Sequence, residues 1–404
     1  MVRSKRGAAA ALAIIVGPGL LAAGCSKKDD KVATGAATTV AGATTVAGGA
    51  AGKCPAGTTI GFFGANTGES KALGINESNG VQLAIEQHNK KNANCKVEYK
   101  LYDSAGDPAQ APALAAQAVN DKAVVALVGP AFSGESKAAN PAFNEAGLPV
   151  ITASATNPGL SNNGWKIFHR AVANDNAQGP AAATYLLTTA KAKKVAVIDD
   201  GSEYGKGIAD IVRDKVKSGG SEVTVSDKLD PKASDYSSVV TKVKGGTVDG
   251  IFFGGYYEAA GRLIKQLRDG GVKATFVAGD GSLDPKLVEG AGAANAEGVI
   301  LLAPSADVTK LAGGADFITA YKAKFSVEPG LYSVEAYDAA NHILAALDAG
   351  KITRADINTY LSTTEYKGLS KTYKYDDKGE LSGAGGIFAS IVKAGKIEVV
   401  GPVG

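Results

Sequence analysis

From Thr58 to the C-terminus the chain repeats one rhythm: a short apolar run of strand formers, a turn, then a longer stretch with helical spacing. No other feature narrows the fold as much, because strands alternating with helices pack as a mainly parallel sheet covered on both faces. In a first series, residues 58–63 predict a strand, 76–92 a helix with Val81, Ala84 and Ile85 on one face, and 97–102 a second strand. An alanine-rich helix is expected over 108–122, with Pro108 near its start, and a third strand over 124–128. A Gly/Pro/Ser turn then opens a helix, and a fourth strand covers 150–153.

A second series begins after Phe168-His169-Arg170. Helices are expected over 178–190, 205–218, 237–244 and 258–270, with strands over 194–199, 222–226, 248–253 and 274–278. A strand at 298–302 reads as a crossover, helices at 317–325 and 337–347 return to the first unit, and 371–375, 387–392 and 396–400 read as short β-structure. The expected fold class is therefore α/β: two doubly wound, Rossmann-like lobes joined by a hinge of several strands. Residues 54–172 plus 304–384 form the first lobe and 173–303 plus 385–404 the second. About 350 folded residues are enough for two such units.

The N-terminus is of another kind. Arg3, Lys5 and Arg6 precede an apolar run over 8–21, which ends in Leu21-Ala22-Ala23-Gly24-Cys25. A basic start, a short apolar stretch and small residues at the cut make residues 1–25 an export signal, too short to span a bilayer as a mature helix. The ending resembles a bacterial lipobox, in which cleavage leaves the cysteine as a lipidated N-terminus; the plainer reading is an ordinary signal that ends near a cysteine. Residues 26–53, rich in Ala, Thr, Val and Gly, have nothing from which to build a core and read as a flexible tether. With Cys25 assigned to lipid, Cys54 and Cys95 are an even pair in an oxidising compartment, where a disulfide is expected. They precede the first and second strands, whose starts lie within reach of one bridge if those strands are neighbours. A metal site has weaker support, since no Cys-x-x-Cys or His cluster accompanies them. Once Arg3, Lys5 and Arg6 leave with the signal, the 43 basic residues fall level with the 40 acidic ones, and no charge argument for a nucleic-acid partner remains.

Chemistry concentrates at strand ends. Residues 127–160 place Ser133, Ser136, Ser154 and Thr156 after two consecutive strands, where an open parallel sheet holds its ligands and helix N–H groups hold anions. A carboxylate is the natural guest. The second series carries Asp199-Asp200, Tyr204, Gly255-Tyr256 and Gly279-Asp280-Gly281 at its own strand ends. Singly, each has a plainer reading: Ser133 an N-cap, Tyr204 a helix staple, Asp280 a turn residue, Asp199 and Asp200 capping carboxylates. An enzyme is not expected. Of three histidines, His88 extends a helical stripe, no Gly-x-Ser-x-Gly elbow occurs, and the run from Gly201 to Gly207 has its glycines one residue too close for a phosphate loop. No cofactor is expected.

Several ordered segments carry a family resemblance over roughly residues 56–400: Leu101-Tyr-Asp-Ser-Ala-Gly-Asp-Pro108, Val128-Gly-Pro-Ala-Phe-Ser133, Ile151-Thr-Ala-Ser-Ala-Thr156, Gln178-Gly-Pro180, Tyr204-Gly-Lys-Gly207, Phe253-Gly-Gly-Tyr256 and Gly279-Asp-Gly281. In this order and spacing the chain resembles the periplasmic binding proteins of ABC importers, in their branched-chain amino acid (Leu/Ile/Val) branch, with a type I Venus-flytrap fold. The resemblance implies that Ser133 and Thr156 bind a ligand α-carboxylate with backbone N–H groups, and that the main-chain carbonyl of Ser154 accepts from the α-ammonium. Tyr204 and Tyr256 would close from the second lobe, and Asp280 would pair with the ammonium, where branched-chain binders carry the longer glutamate. Leu73, Phe132 and Tyr332 match the side-chain pocket; Phe132 in place of a cysteine and Tyr332 in place of a phenylalanine imply a smaller or more polar pocket than a strict leucine binder has. A zwitterion needs neutral donors at one end, an acid at the other and apolar walls between, and splitting these between lobes makes closure depend on ligand. The implied partners are a small amino acid, the transmembrane subunits of a permease, and the outer face of the cytoplasmic membrane through lipid on Cys25, with the protein acting as a monomer. An extracytoplasmic sensor, or a binder of small amides, urea or other carboxylates, is the alternative.

Overall fold

The computed structural model describes residues 53–305, 307–383 and 386–403. The signal, the tether and Cys25 lie outside the described residues. The first series folds as β1 (Thr59–Gly64), α1 (Lys71–Lys91), β2 (Glu98–Asp103), α2 (Ala111–Asn120), β3 (Val124–Val128), α3 (Ser133–Glu145), β4 (Val150–Thr152) and β5 (Phe168–Arg170). These strands form one parallel sheet in the order β2-β1-β3-β4-β5. Every residue of β1, β3 and β4 is buried, as parallel strands covered on both faces require, and this is why their sequences are continuous apolar runs without alternation.

The second series runs α4 (Asp175–Thr184), β6 (Lys194–Asp199), α5 (Glu203–Ser218), β7 (Glu222–Lys228), α6 (Ser237–Gly245), β8 (Gly250–Gly254), α7 (Tyr257–Asp269), β9 (Thr275–Ala278), α8 (Pro285–Ala291), α9 (Ala293–Ala296) and β10 (Ile300–Ala303). The chain then returns to the first sheet with α10 (Gly314–Phe325), α11 (Ser333–Asp348) and α12 (Arg354–Thr363), and a small hairpin of β11 (Tyr366–Lys367) and β12 (Thr372–Tyr373). It ends in β13 (Ile387–Lys393) and β14 (Lys396–Val403), an antiparallel pair added to the second sheet, whose order is β14-β13-β10-β9-β8-β6-β7. The chain passes between the sheets three times, after β5, after β10 and before β13. Helix α11 packs along α1 under the first sheet, so the first lobe is completed by residues far away in sequence.

Cys54 and Cys95 form a disulfide with Cα atoms 4.4 Å apart at the starts of the paired β1 and β2. Helix α1 begins at Lys71, five residues before the expected start, which adds Leu73 to its buried face one turn before Glu77. Helix α4 likewise begins at Asp175, where the Asn174 side chain accepts from the N–H of Asn176. Helices α8, α9 and α12 have no counterpart in the expected elements. Among the described residues no helix is long and apolar enough to cross a membrane.

Candidate functional site

Both parallel sheets share one strand order: β2-β1-β3-β4-β5 in the first and β7-β6-β8-β9-β10 in the second. In this order the connections leaving the two central strands turn to opposite sides, and a crevice opens beyond their carboxyl ends. In the first lobe Leu73 follows β1, Phe132 and Ser133 follow β3, and Ser154 follows β4. In the second, Tyr204 follows β6, Tyr256 follows β8 and Asp280 follows β9. The crevices face each other around a closed cavity of ≈ 20 Å³, lined by Leu73, Phe132, Ser133, Ser154, Tyr204, Tyr256, Asp280 and Tyr332 together with Glu77, Ala131 and Gly281. In this closed arrangement it has room for about one water. A larger groove of ≈ 250 Å³ on the hinge side, between Leu283 and Val334, touches none of the strand-end residues named above and is open to solvent.

Asp280 is the centre of the second-lobe half. Its Oδ1 accepts from the Tyr204 hydroxyl at 2.8 Å and from the Gln178 amide at 2.7 Å, and its Oδ2 accepts from the Tyr332 hydroxyl at 2.8 Å. Its own N–H donates to Gln178 Oε1 at 2.9 Å. All the donors are neutral, and burial holds the hydroxyls of Tyr204 and Tyr332 far above their ordinary range, so they remain donors. Burial also raises the Asp280 carboxyl, and the three donors pull it back down. Asp175, equally buried, is raised strongly, first by burial and then by the charge of Asp280. The flanking glycines are required sterically: a Cβ at Gly279 would collide with the Tyr204 hydroxyl, and one at Gly281 would lie 2.7 Å from the Tyr204 ring.

The first-lobe half is a set of neutral hydroxyls and N–H groups. Ser133, fully buried, opens α3, and its Oγ accepts from the Asn157 N–H at 3.2 Å; Ser154 Oγ donates to the Ala131 carbonyl at 2.6 Å. Thr156 is not in the cavity wall. It is fully buried, and its hydroxyl lies beside the Asp175 carboxyl, whose pKa it helps to lower. Ser136 turns away to the Pro130 carbonyl. Arg170, fully buried, holds the 155–161 turn by donating to the carbonyls of Ala155 and Asn157 and pairing with Glu380 at 2.9 Å. Asp199 and Asp200 fold back onto their own turn, accepting from Gly201 N–H and from Ser202.

The two halves are in contact. Tyr332 and Asp280 bond from opposite lobes, Tyr257 Oη donates to the Glu69 carbonyl at 2.6 Å, and Asn157 Nδ2 donates to the Glu203 carbonyl at 2.7 Å. The Phe132 and Tyr256 rings meet edge to face at 5.3 Å. This pair lines both the cavity and the open cleft mouth, so it separates one from the other. The structure is thus a closed one. Tyr332 reaches across from a left-handed backbone, φ 66°, a conformation that costs a non-glycine residue about 1 kcal/mol or more and is seldom kept without a purpose.

The sequence profile of the periplasmic binding proteins matches residues 57–396. The chain belongs to this family. Within it, the Leucine-, isoleucine-, valine-, threonine-, and alanine-binding protein of Pseudomonas aeruginosa is 31% identical over 325 residues, covering 80% of this chain and 86% of that one. The Leu/Ile/Val-binding protein of Escherichia coli is 29% identical over 326 residues, covering 80% and 88%. Among solved structures, the branched-chain amino acid transporter substrate binding protein LivJ of Streptococcus pneumoniae, in complex with isoleucine, has a TM-score of 0.78 at 29% identity, covering 85% of this chain and 99% of that one. The leucine binding protein LivK of Thermotoga maritima has a TM-score of 0.79 at 26% identity, covering 86% and 98%. This periplasmic binding protein is therefore of the type I fold, in the Leu/Ile/Val-binding branch.

Three residues of the binding protein's cleft were not singled out by the sequence as site residues: Gln178, Asp175 and Glu77. Gln178 and Asp175 meet Asp280 across about a hundred residues, which no local pattern signals. Glu77 had a signal: a carboxylate inside the expected helix, one turn before Val81 on an otherwise apolar face.

Proposed function

We propose that this chain is the substrate-binding lipoprotein of an ABC importer: it captures an amino acid with an aliphatic side chain between its lobes and delivers it to the permease. The observation that carries the reading is the division of chemistry across the cavity. An acid held by three neutral donors lies on one side, while hydroxyls and the N-terminus of α3 lie on the other, with Leu73, Ala131 and Phe132 as apolar wall. An α-ammonium suits the acid and an α-carboxylate suits the donors, and the apolar wall suits an aliphatic side chain. The relatives named above as binders of leucine, isoleucine and valine support the ligand class.

Because the two groups of recognition sites lie on different lobes, a ligand that contacts both stabilises the closed form by its differential affinity for it, and the permease's transmembrane subunits read that form. Proteins of this family are exported; lipid on Cys25 then holds the monomer at the outer face of the cytoplasmic membrane. No chemical step is required of any residue. The test is isothermal titration of the mature protein in detergent, stripped of ligand by unfolding and refolding, against the twenty amino acids, urea and short amides. One-to-one binding of leucine, isoleucine, valine or alanine is expected; binding confined to amides or non-amino carboxylates would overturn the reading.

A further inference from the structure

Glu77 lies one turn after Leu73 on the buried face of α1, and both residues line the cavity. Its side chain is fully buried, and among the described residues neither carboxyl oxygen has a hydrogen-bond partner: the neighbouring Ser154 hydroxyl donates to the Ala131 carbonyl instead. Folded proteins seldom leave such a group alone. Asp280, the other acid of the cavity wall, has its three donors, and nearby Glu135 accepts from the Ser104 hydroxyl and the Phe132 N–H; Glu335, whose oxygens also lack hydrogen bonds, lies outside that wall. Around Glu77, burial is the main influence pushing its carboxyl pKa up, against ionisation; the charges of Glu135 on α3, Glu335 on α11 and Asp280 beyond β9 add to it, and the Ser154 hydroxyl alone opposes them. Among the described residues the basic group that reaches this set, Lys371, faces Glu335 at 3.7 Å. Glu77 is thus a buried acceptor in the wall between the lobes, among acids and without an ion-pair partner among the described residues.

We propose that Glu77 is the first lobe's acid for the ligand: it accepts a hydrogen bond from the ligand's ammonium group, opposite Asp280 of the second lobe, so that the cation is held between a carboxyl group from each lobe. The inference rests on the amino-acid reading above. A carboxylate offers about four acceptor positions and an ammonium three N–H donors. Three positions on Asp280 are already taken within the protein, which leaves one for the ligand. The main-chain carbonyl of Ser154, the residue beside Glu77, takes a second donor in that reading, and Glu77 takes the third. Glu77 and Asp280 line the same small cavity, so one group between the lobes can reach both.

The experiment is calorimetry and thermal melting of the full mature protein carrying Glu77→Gln, with L-leucine, L-isoleucine, L-valine and L-alanine as probes. Affinity is expected to fall at least about tenfold, equally for each amino acid the wild type binds, while the ligand-free melting temperature holds or rises because an unpartnered carboxyl is gone. Affinity within about twofold of wild type, losses graded by side chain, or a lowered ligand-free melting temperature would each overturn the proposal. Glu77→Met, similar in volume, serves if the glutamine variant does not fold. Failure of the wild type to bind any amino acid would instead sink the amino-acid reading itself.

Discussion

Replacing Asp280 by asparagine tests the second-lobe half of the proposed site without reshaping it. The asparagine oxygen can still accept from Tyr204 and Gln178, which both bond Oδ1 now. Its amide nitrogen would face the Tyr332 hydroxyl, which sits 2.8 Å from Oδ2 and can turn to accept. The repulsion that helps raise Asp175 disappears with the charge. The ligand-free protein should therefore melt no lower than wild type. What is lost is the charged partner of the ammonium in a desolvated cavity, and truncating one member of such a pair costs about 2–5 kcal/mol. Taking about 3 kcal/mol, the Kd for an amino acid rises by roughly 150-fold. Calorimetry against an amino acid and the 2-oxo acid of the same skeleton reads the difference: the amino acid loses the full factor, and the oxo acid loses little because it has no ammonium. Equal losses for the two, or an amino-acid affinity within about threefold of wild type, would refute the assignment.

Tyr332→Phe removes the bond from the first lobe to Asp280 and leaves the ring; with two donors remaining on Asp280 we expect about a tenfold rise in Kd and a larger ligand-free radius of gyration by X-ray scattering. His342 is fully buried with both ring nitrogens unbonded, stacked on Tyr366 at 4.8 Å, and burial holds its pKa down to about 3. Below the ordinary value of 6.5 the unfolded chain takes up a proton that the folded one refuses, so stability present above about pH 6.5 is lost as pH falls towards 3. His342→Leu should flatten that acid limb in a melting-temperature profile, His169, held down to about 4, supplying what remains; an unchanged limb counts against the argument. Cys25→Ala should abolish labelling by a fatty-acid analogue and release the protein from membranes, and undiminished labelling would rule out the lipid anchor.

The lobes were legible because parallel strands buried on both faces leave continuous apolar runs, as in Val124–Val128 and Gly250–Gly254. Strand-end residues such as Ser133, Tyr204, Tyr256 and Asp280 follow from that, since the fold places ligands there. Leu73 and Tyr332 could be named only from the family resemblance, because one lies inside a helix and the other arrives from a helix late in the chain. The start of α1 was hidden by its composition. Gly74, Asn76 and Gly80 are poor helix formers, yet a Cβ at Gly74 would collide with the Ala65 carbonyl and one at Gly80 with the Ser333 carbonyl. These glycines serve close packing, so tertiary structure overrides their propensity, and Leu73 was obscured with the start of the helix. Helices α8 and α9 are built from a Gly/Ala-rich segment without an apolar period, which leaves pattern reading nothing to detect.

The charges of the cleft bear on how a site rich in acids can admit a molecule that brings its own carboxylate. The buried cation near the cavity, Arg170, is taken up by Glu380 and two main-chain carbonyls, so it shapes the 155–161 turn and offers no counter-ion. In the proposed reading the ligand carboxylate is therefore met by hydroxyls and helix N–H groups alone, which bind an anion or, in its absence, water with modest loss. The ammonium is different. It arrives where Asp280, Asp175 and Glu77 are all raised by burial; Arg170 offsets Asp175 alone and only in part, so the ammonium supplies the positive charge that the two acids of the cavity wall lack. Selectivity should accordingly be stricter at the ammonium end than at the carboxylate end. The same asymmetry explains the neutral donors around Asp280: two tyrosine hydroxyls and the Gln178 amide hold the acid in place without cancelling the charge that the ligand must find.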